Sequence, residues 1–276
     1  MTAADPQVLV IDTGRSGRYY WRDVWAYREL FATLAWRDVV VRYRQTIVGV
    51  AWAVLRPFLA MVVFTIVFGR LAQLPSAAGA PYPIMVFAGL LPWFLFAAIL
   101  GDASNSLVGN AGLIGKVYFP RLIVPVAAAV VALVDFAVNL LILLGLMLWY
   151  GVTWRWQIAL LPIFVTLAVL TALGPGLLFA ALNVKYRDFR YVIPFVLQFG
   201  LYISPVGFAT AIVPPPIRMW YACNPLVGVI DGFRWCILGG SFDLLELVSG
   251  LAATAAFLWL GTAYFRRTEQ NFADVL

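Results

Sequence analysis

Two polar side chains that could bind a ligand or move a proton lie inside an apolar stretch of this chain. Asp135 and Asn139 are four residues apart, in a run from 122 to 149 that holds no other charged residue. That spacing places both side chains on one face of a helix. Placing an ionisable acid in apolar surroundings costs free energy, and such residues in membrane spans usually have a function. The pattern predicts substrate contact, proton coupling or a hydrogen-bonded lock between helices. We favour the lock because no second titratable partner is evident.

Motifs for catalysis and nucleotide binding are absent from the sequence. The chain has no His, which removes His-based acid–base chemistry, Ser-His triads and His-ligated metals. Residues 110–117 approach a phosphate-binding loop but lack its first Gly and its terminal Ser/Thr. Asp102 lies in a different stretch from Asp135, and nothing in the sequence pairs them. We therefore expect no catalytic residue, metal ligand or cofactor in this chain.

The composition predicts a membrane protein. Hydrophobic residues make up 63% of the 276 residues and charged residues only 12%, whereas soluble domains carry about 25% charged residues. Lipid must therefore be the solvent for much of the surface. The net charge of +6 comes from basic residues between apolar runs, so it indicates membrane topology rather than nucleic-acid binding. Cys223 and Cys236 form no CxxC pair, and we expect free thiols rather than a disulfide.

Six apolar stretches approach the length of about 20 residues that a spanning helix needs. An even number places both termini on one side. Fourteen basic residues lie on the side of the termini and four on the other, which predicts that both termini are cytoplasmic. The candidate spans are 47–69, 84–101, 122–149, 157–182, 191–211 and 245–265.

Two further segments suit neither a span nor a solvated loop. Residues 19–45 follow a tail at 1–18 and carry an apolar stripe at helical spacing, which predicts an amphipathic helix in the cytoplasmic interface. The alternative is a soluble helix packed on a partner. Residues 212–240 are too apolar for a loop and too rich in Pro and Gly for a span. We interpret them as short re-entrant helices, with a compact external cap as the alternative.

Aromatic side chains recur on one face of two of the predicted spans. Such rings can stack on the apolar faces of sugars, so the stripes suggest the lining of a conduit, although ordinary packing explains any single ring equally well. The residues are Trp52, Phe64 and Phe68 with Phe58 offset in the first span, and Tyr191, Phe195, Phe199 and Tyr202 in the fifth.

The loop at 109–121, between the second and third spans, is cytoplasmic by the charge count. It is long enough for a short helix that ends before Pro120, and it is expected to display Lys116, Tyr118 and Phe119. A transport chain without its own motor needs such a docking surface. The alternative is a plain connecting turn.

Five sequence blocks, in order along nearly the whole chain, resemble the permeases of polysaccharide-exporting ABC transporters. This group exports lipid-linked O-antigen, capsule or teichoic-acid chains. The blocks are WRDVVVRYRQTIVGVAWAVLRP (36–57), AGLIGKVYFPRLIVP (111–125), NVKYRDFRYVIPFVLQFGLYISPV (183–206), NPLVGVIDGFRW (224–235) and EQNFADVL (269–276).

The resemblance implies an all-α, six-span permease of the bacterial inner membrane. It implies a homodimer that binds two separate ATPase subunits, which hold Mg-ATP, and that exports lipid-linked polysaccharide, most simply O-antigen on polyprenyl pyrophosphate. Residues 46–276 would form one transmembrane domain, 19–45 a gate helix and 212–240 re-entrant gate helices.

The resemblance also assigns roles to individual residues. The aromatic stripes would line the channel. The lipid pyrophosphate would meet basic residues at the cytoplasmic mouth, for which Arg is well suited. These basic residues are Arg42, Arg44 and Arg56, and the loop that couples to the ATPase would use Gly115, Lys116, Val117, Tyr118, Phe119 and Arg121.

Two other functions remain open at this point. One is a drug or small-lipid efflux permease on the same scaffold. The other is a membrane-embedded glycan enzyme, which would be active without an ATPase.

Overall fold

The structure, a computed structural model, describes residues 20–44, 47–240 and 242–272. Helices are the only regular secondary structure in these residues, and turns and loops connect them. Short 3₁₀ turns precede α7 and follow α11, and a π-helical stretch, Thr65–Leu71, continues α3. The helices are α1 Tyr20–Ala26, α2 Arg28–Arg44, α3 Ile47–Phe64, α4 Tyr82–Gly109, α5 Ala111–Ile114, α6 Ile123–Trp149, α7 Leu161–Lys185, α8 Phe189–Ile203, α9 Pro215–Ala222, α10 Pro225–Leu238 and α11 Leu244–Thr268.

Five helical segments in the described ranges are long and apolar enough to cross a membrane. They correspond to the first, second, third, fourth and sixth predicted spans. Four of them extend beyond at least one predicted limit, because polar residues at a helix end do not stop the helix, and the third lies within its predicted limits. The segments are Ala51–Leu71, Tyr82–Gly109, Ile123–Trp149, Trp156–Lys185 and Leu244–Asn271.

The fifth predicted span, 191–211, is wrong in its extent. Helix α8 has 15 residues and ends at Ile203, so it is about 22 Å long. The chain turns at Ser204, whose backbone is extended (φ −80°, ψ 151°). Pro205 follows, and a proline both lacks the N–H for the helix and disfavours helical geometry in the residue before it.

Helix α4 lies at the centre of the bundle. It packs against α6, α7 and α10, and 78% of its most apolar window is buried. A helix that is hydrophobic on all sides is typical of such a position. By contrast, only 17% of the corresponding window in the α3 segment is buried. The α3 segment is therefore the least covered of the five, followed by the α11 segment at 22%.

Helices α7 and α11 cross at close range because each has a glycine at the point of contact, Gly174 and Gly261. A Cβ atom on Gly261 would lie 2.0 Å from the carbonyl oxygen of Gly174. Beside this contact, the buried hydroxyls of Thr171 and Thr254 form a hydrogen bond of 2.8 Å. Small residues and hydroxyl pairs are typical of helix contacts in membrane proteins.

The segment predicted as one helix at 19–45 forms two helices, α1 and α2, which meet at Tyr27. Its apolar stripe packs on a cluster formed by the start of α6, the end of α7 and the C-terminal residues. The indole rings of Trp21, Trp25 and Trp36 point away and are 57%, 72% and 70% exposed. The face that points away from the bundle therefore also carries large apolar rings, and the position of these helices in the membrane interface stays a prediction.

Region 212–240 forms two short helices, α9 and α10. The side chain of Asn224 caps α10 by accepting a hydrogen bond from the backbone N–H of Leu226 at 3.1 Å. Helix α10 packs on α4, α7 and α11 and is largely buried. The two cysteines in this region are free, as expected: Cys223 is exposed and Cys236 is buried.

Candidate translocation site

A cavity of about 840 Å³ opens between α3, α4, α6 and α8, beside the end of α2. Its wall is mixed, with aromatic and apolar surfaces interrupted by charged and amide side chains. Six of the residues singled out in the sequence line it: Arg42, Trp52, Arg56, Asp135, Asn139 and Tyr202.

Arg42 joins two acids that come from different helices. Its guanidinium lies 2.8 Å from a carboxylate oxygen of Asp135 on α6 and 3.2 Å from one of Asp102 on α4. Tyr43 donates a further hydrogen bond to Asp135. Burial, together with this hydrogen bond, raises the pKa of Tyr43, which keeps the phenol protonated as a donor. Asp135 thus connects the end of α2 to α6.

The amide of Asn139 is held by backbone carbonyls beneath this network. Its nitrogen donates to the carbonyl oxygens of Asp135 at 2.8 Å and Ala53 at 3.3 Å. The second bond joins α6 to α3. The side-chain oxygen of Asn139 is buried without a hydrogen-bond partner in the described part of the chain.

Two cations, Arg42 and Arg56, line the cavity, and Arg56 is the one that has no carboxylate partner among the described residues. Among residues 20–44, 47–240 and 242–272 it forms no ion pair, and its guanidinium lies 5.5 Å from the centre of the Phe94 ring. Arg44 is exposed and lies outside the cavity. An anionic group in the cavity would therefore meet Arg56 without first breaking an ion pair.

The aromatic stripe of α8 faces outward rather than into this cavity. Phe195 and Phe199 stack with ring centres 4.3 Å apart, and Tyr191, Phe195, Phe199 and Tyr202 are 80%, 60%, 49% and 62% exposed. Only Tyr202 of the four also reaches the cavity. The opposite face of α8, which includes Ile193 at 2% exposure, covers the bundle.

The stripe on the first span divides between two environments. Phe64 is only 9% exposed and packs on Phe68 with ring centres 5.3 Å apart. Both rings lie against Gly207, where a Cβ atom would approach Phe64 to 2.8 Å. Phe58 is 41% exposed and lies outside the cavity. Trp52 is the one predicted ring of this helix that lines it.

Sequence reasoning missed several residues of the cavity, including Tyr43, Trp93 and Asn105. Asn105 follows Asp102 by three residues, so both occupy one face of α4, a signal that was available in the sequence. Trp93 depends on long-range packing. Its ring lies against Gly200 of α8, where a Cβ atom would be 2.8 Å from the ring.

The loop 109–121 contains one helical turn, α5, rather than a longer helix. Val117 and Tyr118 are 50% and 64% exposed, and Gly115 and Lys116 are also exposed. The expectation that Phe119 is displayed is wrong, because its side chain is 3% exposed. It is buried in an apolar cluster with Ile114, Leu122 and Phe272.

A second charged cluster lies where α9, α10 and α11 meet, and the sequence did not reveal it. Arg218 pairs with Glu246 at 2.8 Å and with Asp243 at 3.5 Å. The hydrogen bond to Glu246 raises the pKa of Arg218. Arg234 is buried nearby and donates to the backbone carbonyls of three other residues, Met85, Val206 and Phe208.

The described residues form five helices of spanning length and a cavity lined partly by charged and amide side chains, which together define a multi-pass membrane protein. A family profile described as ABC-2 type transporter matches residues 29–238. The chain therefore belongs to the ABC-2 type transporter family.

Similar proteins align along most of the chain. The O-antigen export system permease protein RfbA of Myxococcus xanthus is 26% identical over 92% of this chain and 97% of its own length. RfbA of Klebsiella pneumoniae is 25% identical over 90% of this chain and 95% of its own length. The polysialic acid transport protein KpsM of Escherichia coli is 24% identical over 85% and 91%.

Proposed function

We propose that this chain is the permease subunit of an ABC exporter that moves lipid-linked polysaccharide, most simply O-antigen on polyprenyl pyrophosphate, from the cytoplasm across the bacterial inner membrane. The observation that carries this proposal is the alignment of polysaccharide-export permeases over 85% to 92% of the chain. Alignment on that scale includes the cavity, the aromatic helix and the loop 109–121.

The active unit is a homodimer whose channel lies between copies of α3 and α8. Both helices present exposed aromatic side chains, and the α3 segment is the least buried of the five spanning segments in the described residues. A monomer would leave this large apolar face to lipid alone, whereas two copies would enclose it. Rings such as Phe195, Phe199 and Tyr202 would contact successive sugars by stacking, which does not depend on one sugar sequence.

The chain crosses the membrane six times, with both termini in the cytoplasm. Helix α8 provides the fifth crossing, completed by the non-helical residues 204–209. Such backbone is tolerated at membrane depth when it is buried in protein, and Ser204 and Val206 are 1% and 0% exposed. The excess of Lys and Arg on the side of the termini supports the orientation. Helices α9 and α10 return from the outer side as a re-entrant pair.

The lipid pyrophosphate binds first at Arg56. Its guanidinium is free of carboxylates and faces the cavity, and arginine binds phosphate oxygens in a bidentate manner. Arg42 supplies a second cation after it leaves Asp102 or Asp135, and Arg44 adds positive charge at the mouth. Helices α1 and α2 act as the gate because Arg42 lies at their cavity end.

Two separate ATPase subunits bind Mg-ATP and drive the movement. Each docks on the loop 109–121, where Lys116, Val117 and Tyr118 are the accessible side chains. ATP binding displaces this loop, opens the dimer and lets the lipid anchor and its glycan pass.

The test replaces Phe195, Phe199 and Tyr202 with Ala in a strain that depends on this transporter for its surface glycan. We expect loss of most surface glycan with normal amounts of protein in the membrane. The matched control replaces Phe257 and Trp259 of α11, which are also exposed, at 41% and 69%. Normal glycan in the triple variant would refute the channel lining.

Two further outcomes would refute the function itself. Glycan modification by the purified chain without an ATPase would indicate an enzyme. Export of small hydrophobic compounds by the reconstituted complex, with no effect on lipid-linked glycan, would indicate an efflux permease.

A further inference from the structure

The C-terminal residues of the described chain are fastened to the loop that carries Tyr118. The backbone N–H of Arg121 donates to the carboxylate Oε1 of Glu269 at 2.7 Å. In return, the Arg121 guanidinium donates to the backbone carbonyl of Glu269. The two residues are 148 positions apart in the sequence, so this reciprocal pair joins distant parts of the chain.

Apolar packing supports the same junction. Phe272 is 2% exposed and meets Phe265 of α11 edge to face, with ring centres 5.3 Å apart. Phe119 and Ile114 of the loop are each 3% exposed and belong to the same apolar cluster. Thus the residues flanking the exposed part of the loop are buried together with the residues flanking Glu269.

The loop needs such support because it is too short to maintain its own shape. Helix α5 has four residues, well below the length at which isolated helices form, about 12–15 residues. Two other tertiary hydrogen bonds of the loop join described residues: the Tyr27 hydroxyl donates to the carbonyl of Tyr118 at 3.5 Å, and the Arg37 guanidinium donates to the side-chain oxygen of Asn110 at 2.8 Å. Both hydrogen bonds between Arg121 and Glu269 involve a charged group, so the pair is the firmer constraint on the end of the loop that follows Tyr118.

We infer that Glu269–Phe272 forms a C-terminal clasp that holds the ATPase-docking loop and passes its displacement to α11, with Glu269 as the positioning residue. The inference rests on the proposed function for the docking role of the loop. Without the clasp, a push on Tyr118 reaches α4 and α6, to which the loop is joined along the chain, and α2 through the hydrogen bond of Tyr27 and the apolar cluster. With it, the same push also reaches α11, which is packed closely on α7.

The first test measures hydrogen exchange of the loop in the complete complex of permease and ATPase. Glu269→Ala removes the acceptor of the Arg121 N–H, and we expect exchange across 111–121 to become about tenfold faster. Glu269→Gln keeps an oxygen acceptor and should stay near the original rate. Gln270→Ala, at an exposed neighbour, is the matched control.

The second test measures glycan exported per ATP hydrolysed in proteoliposomes. We expect Glu269→Ala to lower this ratio several-fold while ATP hydrolysis and a cross-link from Tyr118→Cys to the ATPase persist. The cross-link uses a chain with Cys223→Ser, because that thiol is exposed. A general loss of folding would instead remove hydrolysis, cross-link and export together.

The clasp is overturned if Glu269→Ala matches Gln270→Ala in exchange and in export per ATP, or if Glu269→Gln is as impaired as Glu269→Ala. If the Glu269→Ala protein does not accumulate, Phe272→Leu replaces it. We then expect a smaller increase in the hydrogen-exchange rate of the loop, and an unchanged rate would overturn the clasp. Absence of the Tyr118 cross-link in the otherwise unmodified complex would refute the docking role, whereas the exchange measurement tests the clasp separately.

Discussion

Arg234 and Arg42 are both arginines in contact with acids, yet their surroundings differ. The Arg234 side chain is 4% exposed and lies 3.7 Å from Asp231. It also donates to the carbonyls of Met85, Val206 and Phe208 at 3.2, 2.7 and 2.9 Å. The Arg42 side chain is 44% exposed and is held by side-chain carboxylates at the cavity.

The difference teaches which cation belongs to the scaffold and which is free to exchange partners. Backbone carbonyls cannot leave a buried arginine without unfolding the segments that carry them. Carboxylates at a solvated cavity can be replaced by water or by an anionic ligand at little cost. We therefore expect substitution of Arg234 to affect stability, and substitution of the cavity cations to affect transport.

The largest effect is expected for Arg234→Met. The change strands Asp231 and three buried carbonyl groups without their donor, so the free energy of unfolding should fall by about 3–5 kcal/mol. Thermal unfolding in detergent micelles measures this. The comparison variant is Arg42→Met, which should lower the stability by only about 1 kcal/mol. Equal losses would contradict the distinction between the two sites.

The next largest effect is expected for Arg56→Ala. Loss of a cation–phosphate contact of about 1.5–3 kcal/mol should raise the concentration of lipid-linked glycan needed for half-maximal ATPase stimulation roughly ten- to a hundredfold. Stability should remain near its original value, because Arg56 is exposed and forms no ion pair in the described residues.

Arg70→Ala is the control for this prediction, since Arg70 is an exposed cation farther along the same segment. It should leave the glycan dependence unchanged. If both variants shift it equally, general electrostatic attraction rather than a site at Arg56 accounts for the binding.

The smallest effect is expected for Asp135→Asn. The amide keeps the shape and one acceptor for Tyr43 but loses the charge that faces Arg42. A double-mutant cycle of Asp135→Asn with Arg42→Met should give a coupling free energy of about 0.5–2 kcal/mol. Stability measured in micelles supplies the four values. A coupling near zero would show that Asp135 and Arg42 act independently.

Local features of the fold were predictable from the sequence. The apolar stretches predicted the five helices of spanning length. The apolar stripe from Tyr20 to Leu34 was predicted to lie in the membrane interface, whereas in the structure it packs on the bundle. Both depend on residues that are neighbours along one helix. The end of α8 was also encoded locally, in Ser204–Pro205, although hydropathy alone extended the span past it.

The cavity was predictable only in part. Arg56, Asp135 and Trp52 were predicted as candidate site residues because charged and aromatic side chains stand out in apolar stretches of sequence. The contacts of Arg42 with Asp102 and Asp135, and of Tyr43 with Asp135, were not predictable, because these residues come from helices whose relative rotation no local pattern specifies.

By itself, the sequence determined that this is a membrane protein. It also determined the positions at which the helices begin and the polar residues that they carry. Helical periodicity and hydropathy act over a few neighbouring residues and are legible in the chain. Only the tertiary structure decided that Arg42 meets two acids while Arg56 stays free, that Phe119 is buried and that Glu269 holds Arg121. Those outcomes depend on contacts between distant residues, which form when whole helix faces pack against each other.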